Sequence, residues 1–104
     1  MKETGMAKTA ADCTTMAEIR ENIDRVDKAL MALFEERWSF IRRAAEIKAG
    51  LGIPADVPAR VKEVRDNANR NAQAHGLDGD FYEGIWAQLI EHAIAYEKAQ
   101  LGEG

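Results

Sequence analysis

Apolar residues recur along the first half of the chain at alternating steps of four and three: Ile19, Ile23, Val26, Leu30 and Leu33, then Arg37, then Phe40, Ala44 and Ile47. That spacing is the seam of a coiled-coil-like helix, with a cation standing in one of its places. The string TMAE opens it as a capping box, Thr15 being the cap and Glu18 lying three residues on. No Gly or Pro intervenes before Gly50, so the pattern predicts one helix of roughly 35 residues and about 50 Å. Such a helix is too long for a compact domain of this size to cover. It needs a second chain along much of its length, and dimerisation is the default expectation.

The string GLGIPADVP breaks the pattern. Gly50 and Gly52 are expected to end the first helix, and Pro54 and Pro58 forbid its continuation. Asp56 is the expected cap of a second helix with Pro58 in its first turn. This helix covers residues 57–74, with Val57, Val61, Val64, Ala68 and Ala72 on one side and the polar string RDNANRN on the other. Gly76 suits a left-handed C-cap. Asp78 then caps a third helix reaching residue 101, whose apolar positions are Phe81, Ile85, Trp86, Leu89, Ile90, Ala93 and Ile94. Strand alternation is absent, so the fold class is all-α, with three helices per chain.

Several charges fall on faces that should be apolar. Arg37 and Lys48 are eleven residues apart, which brings them within about 20° of one direction, about 16 Å apart along the helix. Arg20 lies seventeen residues before Arg37, roughly 100° around the helix. It is badly placed for that pocket in its own chain but well placed for a partner's pocket in an antiparallel dimer. Glu97 follows Trp86 by eleven, Ile90 by seven and Ala93 by four, so it shares their apolar face, where a carboxylate must be paired or protonated. Arg60 stands one position from the Val57 and Val61 stripe. Taken singly, each cation is accounted for by a snorkelling side chain, and Glu97 by an ion pair. Taken together, they suggest a small polyanionic ligand, a carboxylate above all, since Arg grips carboxylate with two parallel hydrogen bonds.

Composition narrows the choice. The 104 residues fit one domain and the net charge is −4, so nucleic acid is not the expected partner. The single cysteine, Cys13, cannot form an internal disulfide, which favours the cytoplasm. No apolar run approaches membrane-spanning length, and MKETGMAKTAAD lacks a signal-peptide core. Residues 1–13 read as a flexible arm and 14–104 as the helical domain. His75 and His92 are not at metal-ligand spacing, and no phosphate loop or serine-nucleophile motif is present. The residues therefore suit a reaction that needs shape and electrostatics, with no cofactor and no metal.

The string IRENIDRVDKALMALFEERWSFIRRAAEIK resembles the first helix of the all-helical (type II) chorismate mutase family, and the resemblance continues through PADVPARV and HGLDGDFYEGIWAQLIEHAIA. It covers the chain from Asp12 onward and is carried by Arg20, Arg37, Lys48 and Arg60 with a polar residue at Glu97. The strings DCTTMAEIR and GLDGDFYEG also resemble the isochorismate-pyruvate lyase branch. The resemblance implies an intertwined helical homodimer with two shared sites for a small dicarboxylate, chorismate or isochorismate. Arg20 of the partner chain and Arg37 would hold the two carboxylates, with Arg60 nearby. Lys48 and residue 97 would donate to the ether oxygen whose bond to carbon breaks.

Four positions depart from the best-known mutases. Glu97 replaces Gln, and because an ionised carboxylate cannot donate, it is expected to be protonated in the working site. Val61 replaces a Glu near the ring hydroxyl, a feature shared with the lyase branch, and Val57 replaces an Asp. Ala93 replaces a Ser that helps bind a carboxylate. The interval from Lys48 to Arg60, by contrast, matches the mutases better than the shorter lyase loop. Chorismate mutase is the activity expected, isochorismate-pyruvate lyase the alternative, and a non-catalytic helical interaction module the reading from a different class.

Overall fold

A computed structural model describes residues 9–103. A 3₁₀ turn at Ala10–Asp12 precedes three α-helices: α1 (Met16–Leu51), α2 (Pro58–Ala74) and α3 (Gly79–Leu101). No strand occurs among the described residues, so the all-α expectation holds. No helix among them is long and apolar enough to cross a membrane. Most of the expected N-terminal arm, residues 1–8, lies outside the described residues.

The chain divides into two compact units, and the division falls within α1 between Ser39 and Phe40. In the first unit the expected capping box is formed. Glu18 N–H donates to Thr15 Oγ1 at 3.2 Å, and Thr15 N–H donates to Glu18 Oε1 at 3.1 Å. The same Glu18 oxygen accepts from Thr14 N–H at 2.9 Å. The 3₁₀ turn leads into Cys13, whose Sγ lies 3.7 Å from Thr9 O and accepts from Asn22 Nδ2 at 3.9 Å. None of the first unit's described residues is buried. Ile23 and Leu33 of the apolar seam are 52% and 62% exposed.

The second unit holds the packed interior. Helix α1 continues through Gly50 and ends at Leu51, so Gly50, expected as a stop, is helical. The break comes at Gly52, with φ +70, where Ile53 N–H reaches back to Lys48 O at 3.0 Å. The left-handed backbone at Gly52 is strained for any side chain, although the space around it is open.

The cap of α2 differs from expectation. Val57, in extended conformation, is its N-cap, and no side chain caps it; Asp56 does not serve. Pro58 at N1 accounts for this, because it favours an extended preceding residue and has no N–H to be satisfied. Arg60 and Val61 N–H both donate to Val57 O, at 2.9 and 3.0 Å.

Gly76, at φ +72, closes α2 as expected, and Leu77 N–H bonds to Ala72 O at 2.9 Å. Asp78 caps α3, accepting from Phe81 N–H at 3.1 Å. Helices α2 and α3 pack together, and Ala68 and Ala72 on α2 and Gly79, Ile90 and Ala93 on α3 are buried. A Cβ at Gly79 would stand 3.0 Å from Asn69 O and closer still to its side chain, so glycine permits the approach. Asn69 Nδ2 bridges the two helices, donating to Asp80 Oδ1 at 3.0 Å and Glu83 Oε1 at 2.8 Å.

Candidate active site

The second unit contains the only buried charged residue among those described, Glu97, which is 4% exposed. It lies on α3 one turn beyond buried Ala93, as the apolar spacing required. Its partner is Lys48, in the last turn of α1, where a cation also complements the partial negative charge of the helix terminus. Lys48 Nζ donates to Glu97 Oε1 at 2.7 Å, and 20% of the lysine side chain remains exposed.

A second acceptor fixes the same ammonium. The turn at Gly52 brings the chain back so that Ala55, only 3% exposed, presents its carbonyl to Lys48 Nζ at 2.9 Å. Ala55 N–H in turn donates to Glu103 Oε2 at 3.1 Å. An ammonium has three N–H donors. Two are directed at Glu97 and Ala55, and the third has no partner among the described residues. Removing either member of a mostly buried pair leaves an uncompensated charge, so Lys48 and Glu97 hold each other in place. Together they form a fixed donor able to neutralise negative charge on a ligand atom.

The remaining sequence candidates are distributed as follows. Val57 and Val61 are half-buried and Ala93 is buried in the second unit. Val61 borders an open depression lined also by Pro58, Arg65, Asp66 and Glu83, which includes neither Lys48 nor Glu97. Arg60 is exposed and bonds Glu63 at 2.7 Å. Arg20 is exposed and Arg37 half-buried, both in the first unit. Within the second unit the structure thus joins Lys48 directly to Glu97. Sequence reasoning missed Ala55 and Glu103. A backbone carbonyl carries no signature in the sequence, and Glu103 reads as one more acid beside a terminal glycine.

Residues 19–98 match the family model described as chorismate mutase type II. An isochorismate pyruvate lyase of Pseudomonas aeruginosa is 40% identical over 89 residues, which span 85% of this chain and 86% of that protein. A chorismate mutase of Methanocaldococcus jannaschii is 39% identical over 88 residues, spanning 85% of this chain and 89% of that one. A 4-amino-4-deoxychorismate mutase of Streptomyces venezuelae is 32% identical over 82 residues, spanning 79% and 80%.

Proposed function

The chain belongs to the type II chorismate mutase family, and on that premise we propose that it is a chorismate mutase, converting chorismate to prephenate in sites shared between two copies. The observation that carries this reading is the Lys48 ammonium, held at 2.7 Å by Glu97 and 2.9 Å by Ala55 with one donor to spare. The rearrangement is a concerted pericyclic step. One carbon–oxygen bond breaks as a carbon–carbon bond forms in the same molecule, with no covalent intermediate. The protein's task is to hold the folded conformer and to stabilise charge growing on the ether oxygen. A pre-positioned ammonium suits that task, since it needs no reorganisation at the moment of reaction.

In this reading Lys48 donates to the ether oxygen. Glu97 holds that ammonium in place through the oxygen that accepts from it. Arg37 and the partner chain's Arg20 clamp the two carboxylates. Arg60 joins them after releasing Glu63, a small cost because exposed pairs are worth about 0–1 kcal/mol. Val57, Val61 and Ala93 form apolar wall around the ring. The exposed apolar face of α1 supports the dimer: Ile23, Val26, Leu30 and Leu33 are all exposed in the single chain, and a second α1 with the same seam would cover them. The lone Cys13 supports a cytoplasmic location.

Isochorismate-pyruvate lyase is the second reading, favoured by the 40% identity to the Pseudomonas aeruginosa protein. Both reactions are pericyclic and need the same cation cage. The deciding experiment is parallel turnover by the purified protein, following chorismate loss with prephenate formation and salicylate fluorescence from isochorismate. The expected result is faster turnover of chorismate, abolished in Arg37→Ala. Faster turnover of isochorismate selects the lyase, and turnover of neither selects a non-catalytic interaction module.

A further inference from the structure

The strongest feature not used by this mechanism is the carboxylate of Glu103, which lies beyond the family match ending at residue 98. Glu103 follows Gly102, whose left-handed backbone closes α3. Its own N–H bonds to Lys98 O at 2.8 Å, so the backbone of Glu103 is held by the helix cap. Its side chain turns to the loop between α1 and α2 and accepts from Ala55 N–H at 3.1 Å. The carbonyl of that same residue accepts from Lys48 Nζ at 2.9 Å. Both backbone groups of one buried alanine are therefore held by charged side chains, and one of those side chains is Lys48.

We propose that Glu103 is a positioning residue for Lys48, acting through Ala55. Lys48 has four rotatable side-chain bonds, and two fixed acceptors are needed to define where its third N–H points. Glu97 is one, carried by the interior of a helix. The other, Ala55 O, belongs to a loop, and a loop carbonyl is only as fixed as the contacts that hold its residue. The charge-assisted bond from Glu103 supplies such a contact. Without it Ala55 relaxes toward solvent, the ammonium turns toward Glu97 alone, and the third donor loses its aim. Binding through the arginines does not depend on this linkage, so the effect belongs to the chemical step. The consequence for turnover rests on the reading of Lys48 as donor to the breaking ether bond; the consequence for the ammonium itself does not.

The test uses the full chain with Glu103→Ala and Glu103→Gln. Two quantities are compared with the parent: kcat and KM for whichever of chorismate and isochorismate is turned over, and the hydrogen-exchange rate of the Lys48 ammonium protons by NMR in the ligand-free protein. Glu103→Ala is expected to lower kcat on the order of tenfold, short of the ~100-fold cost of an ångström's misplacement, with KM within about twofold. The Lys48 ammonium protons should exchange faster by a similar factor. Glu103→Gln retains an acceptor for Ala55 N–H and should recover most of both losses. The proposal is overturned if Glu103→Ala leaves ammonium exchange at the parent rate, if kcat and KM change in equal proportion with loss of thermal stability, or if Glu103→Gln is as impaired as Glu103→Ala. A parent protein that turns over neither substrate defeats the functional reading alone, and the ammonium exchange still decides the linkage.

Discussion

From Met16 to Ser39, α1 carries a regular apolar seam and buries none of it; beyond Phe40 the chain buries six apolar residues and one acid. The first unit has the stronger helical pattern, with steps of four and three kept for nine positions across and beyond it. The second has the weaker pattern, and its buried apolar residues are alanines apart from Ile90. Periodicity thus marks where an apolar face lies, while small residues mark where helices of the same chain already meet, since only small side chains let backbones approach as closely as Gly79 and Asn69 do. A seam of large residues left open calls for a cover from outside the chain; a stripe of alanines is already covered.

The largest expected effect breaks the first half of that comparison. Leu30→Glu combined with Leu33→Glu puts two carboxylates on the open seam, each costing several kcal/mol if a second chain buries it. The protein should elute from gel filtration as a monomer, keep its helical circular dichroism in the second unit, and lose turnover altogether. A double variant that elutes at the parent's size and stays active removes the seam from the proposed interface.

Lys48→Ala tests the second half. It strands Glu97 in the interior, and the expected destabilisation is about 3 kcal/mol, the lower end for a broken buried pair because the lysine is 20% exposed. Turnover should fall about 10²–10³-fold, the scale of removing one donor to a developing oxyanion. A variant that keeps its activity while losing stability would make the pair structural only. Chemical denaturation and initial rates on one preparation separate the two.

Glu97→Gln produces a smaller effect. The amide oxygen still accepts from Lys48 Nζ, but the pair loses its negative charge. Turnover and stability should both fall less than in Lys48→Ala. A Gln variant as impaired as Lys48→Ala would falsify the reading that an acceptor at residue 97 is what Lys48 needs.

The smallest effect lies on the surface. The hydrogen bond from Lys62 to Asp66, 2.7 Å long, holds the Asp66 carboxyl below its ordinary value of 3.8, with the charges of Lys62, Arg70 and Arg65 adding to the shift. Because the folded value is the lower one, the pair's contribution is present above the unfolded value and is lost as pH falls through the folded value. Asp66→Asn should lower the melting midpoint slightly at neutral pH and not at all in strong acid. A drop comparable to that of Lys48→Ala would mean that exposure is a poor guide to which pair matters here.

The helices, both glycine turns at Gly52 and Gly76, the Thr15–Glu18 box and the Asp78 cap were legible in the sequence, because each is a local bargain among neighbours three to five residues apart. The misplaced charge at Glu97 was legible too, since a helix repeats every 3.6 residues and an acid on an apolar face shows in the spacing alone. Asp56 misled because Pro58 at the first helical position makes Val57 the N-cap residue and leaves Asp56 one position outside it. Arg60 reads as a site cation from its position one residue off the stripe, and its exposed bond to Glu63 in the folded chain was not legible there.

Sequence by itself determined that this chain is helical, where its helices stop, and that Lys48 and Glu97 are charges in need of partners. Only the tertiary structure decided that each is the other's partner, 49 residues away, and that a loop carbonyl, its residue held in turn by a distant acid, is the ammonium's second acceptor. The reason is physical. Helix periodicity and caps are set by interactions within a few residues, whereas the direction of an ammonium's three donors is set by whichever acceptors the folded chain delivers to it, and a backbone carbonyl is the same in every residue.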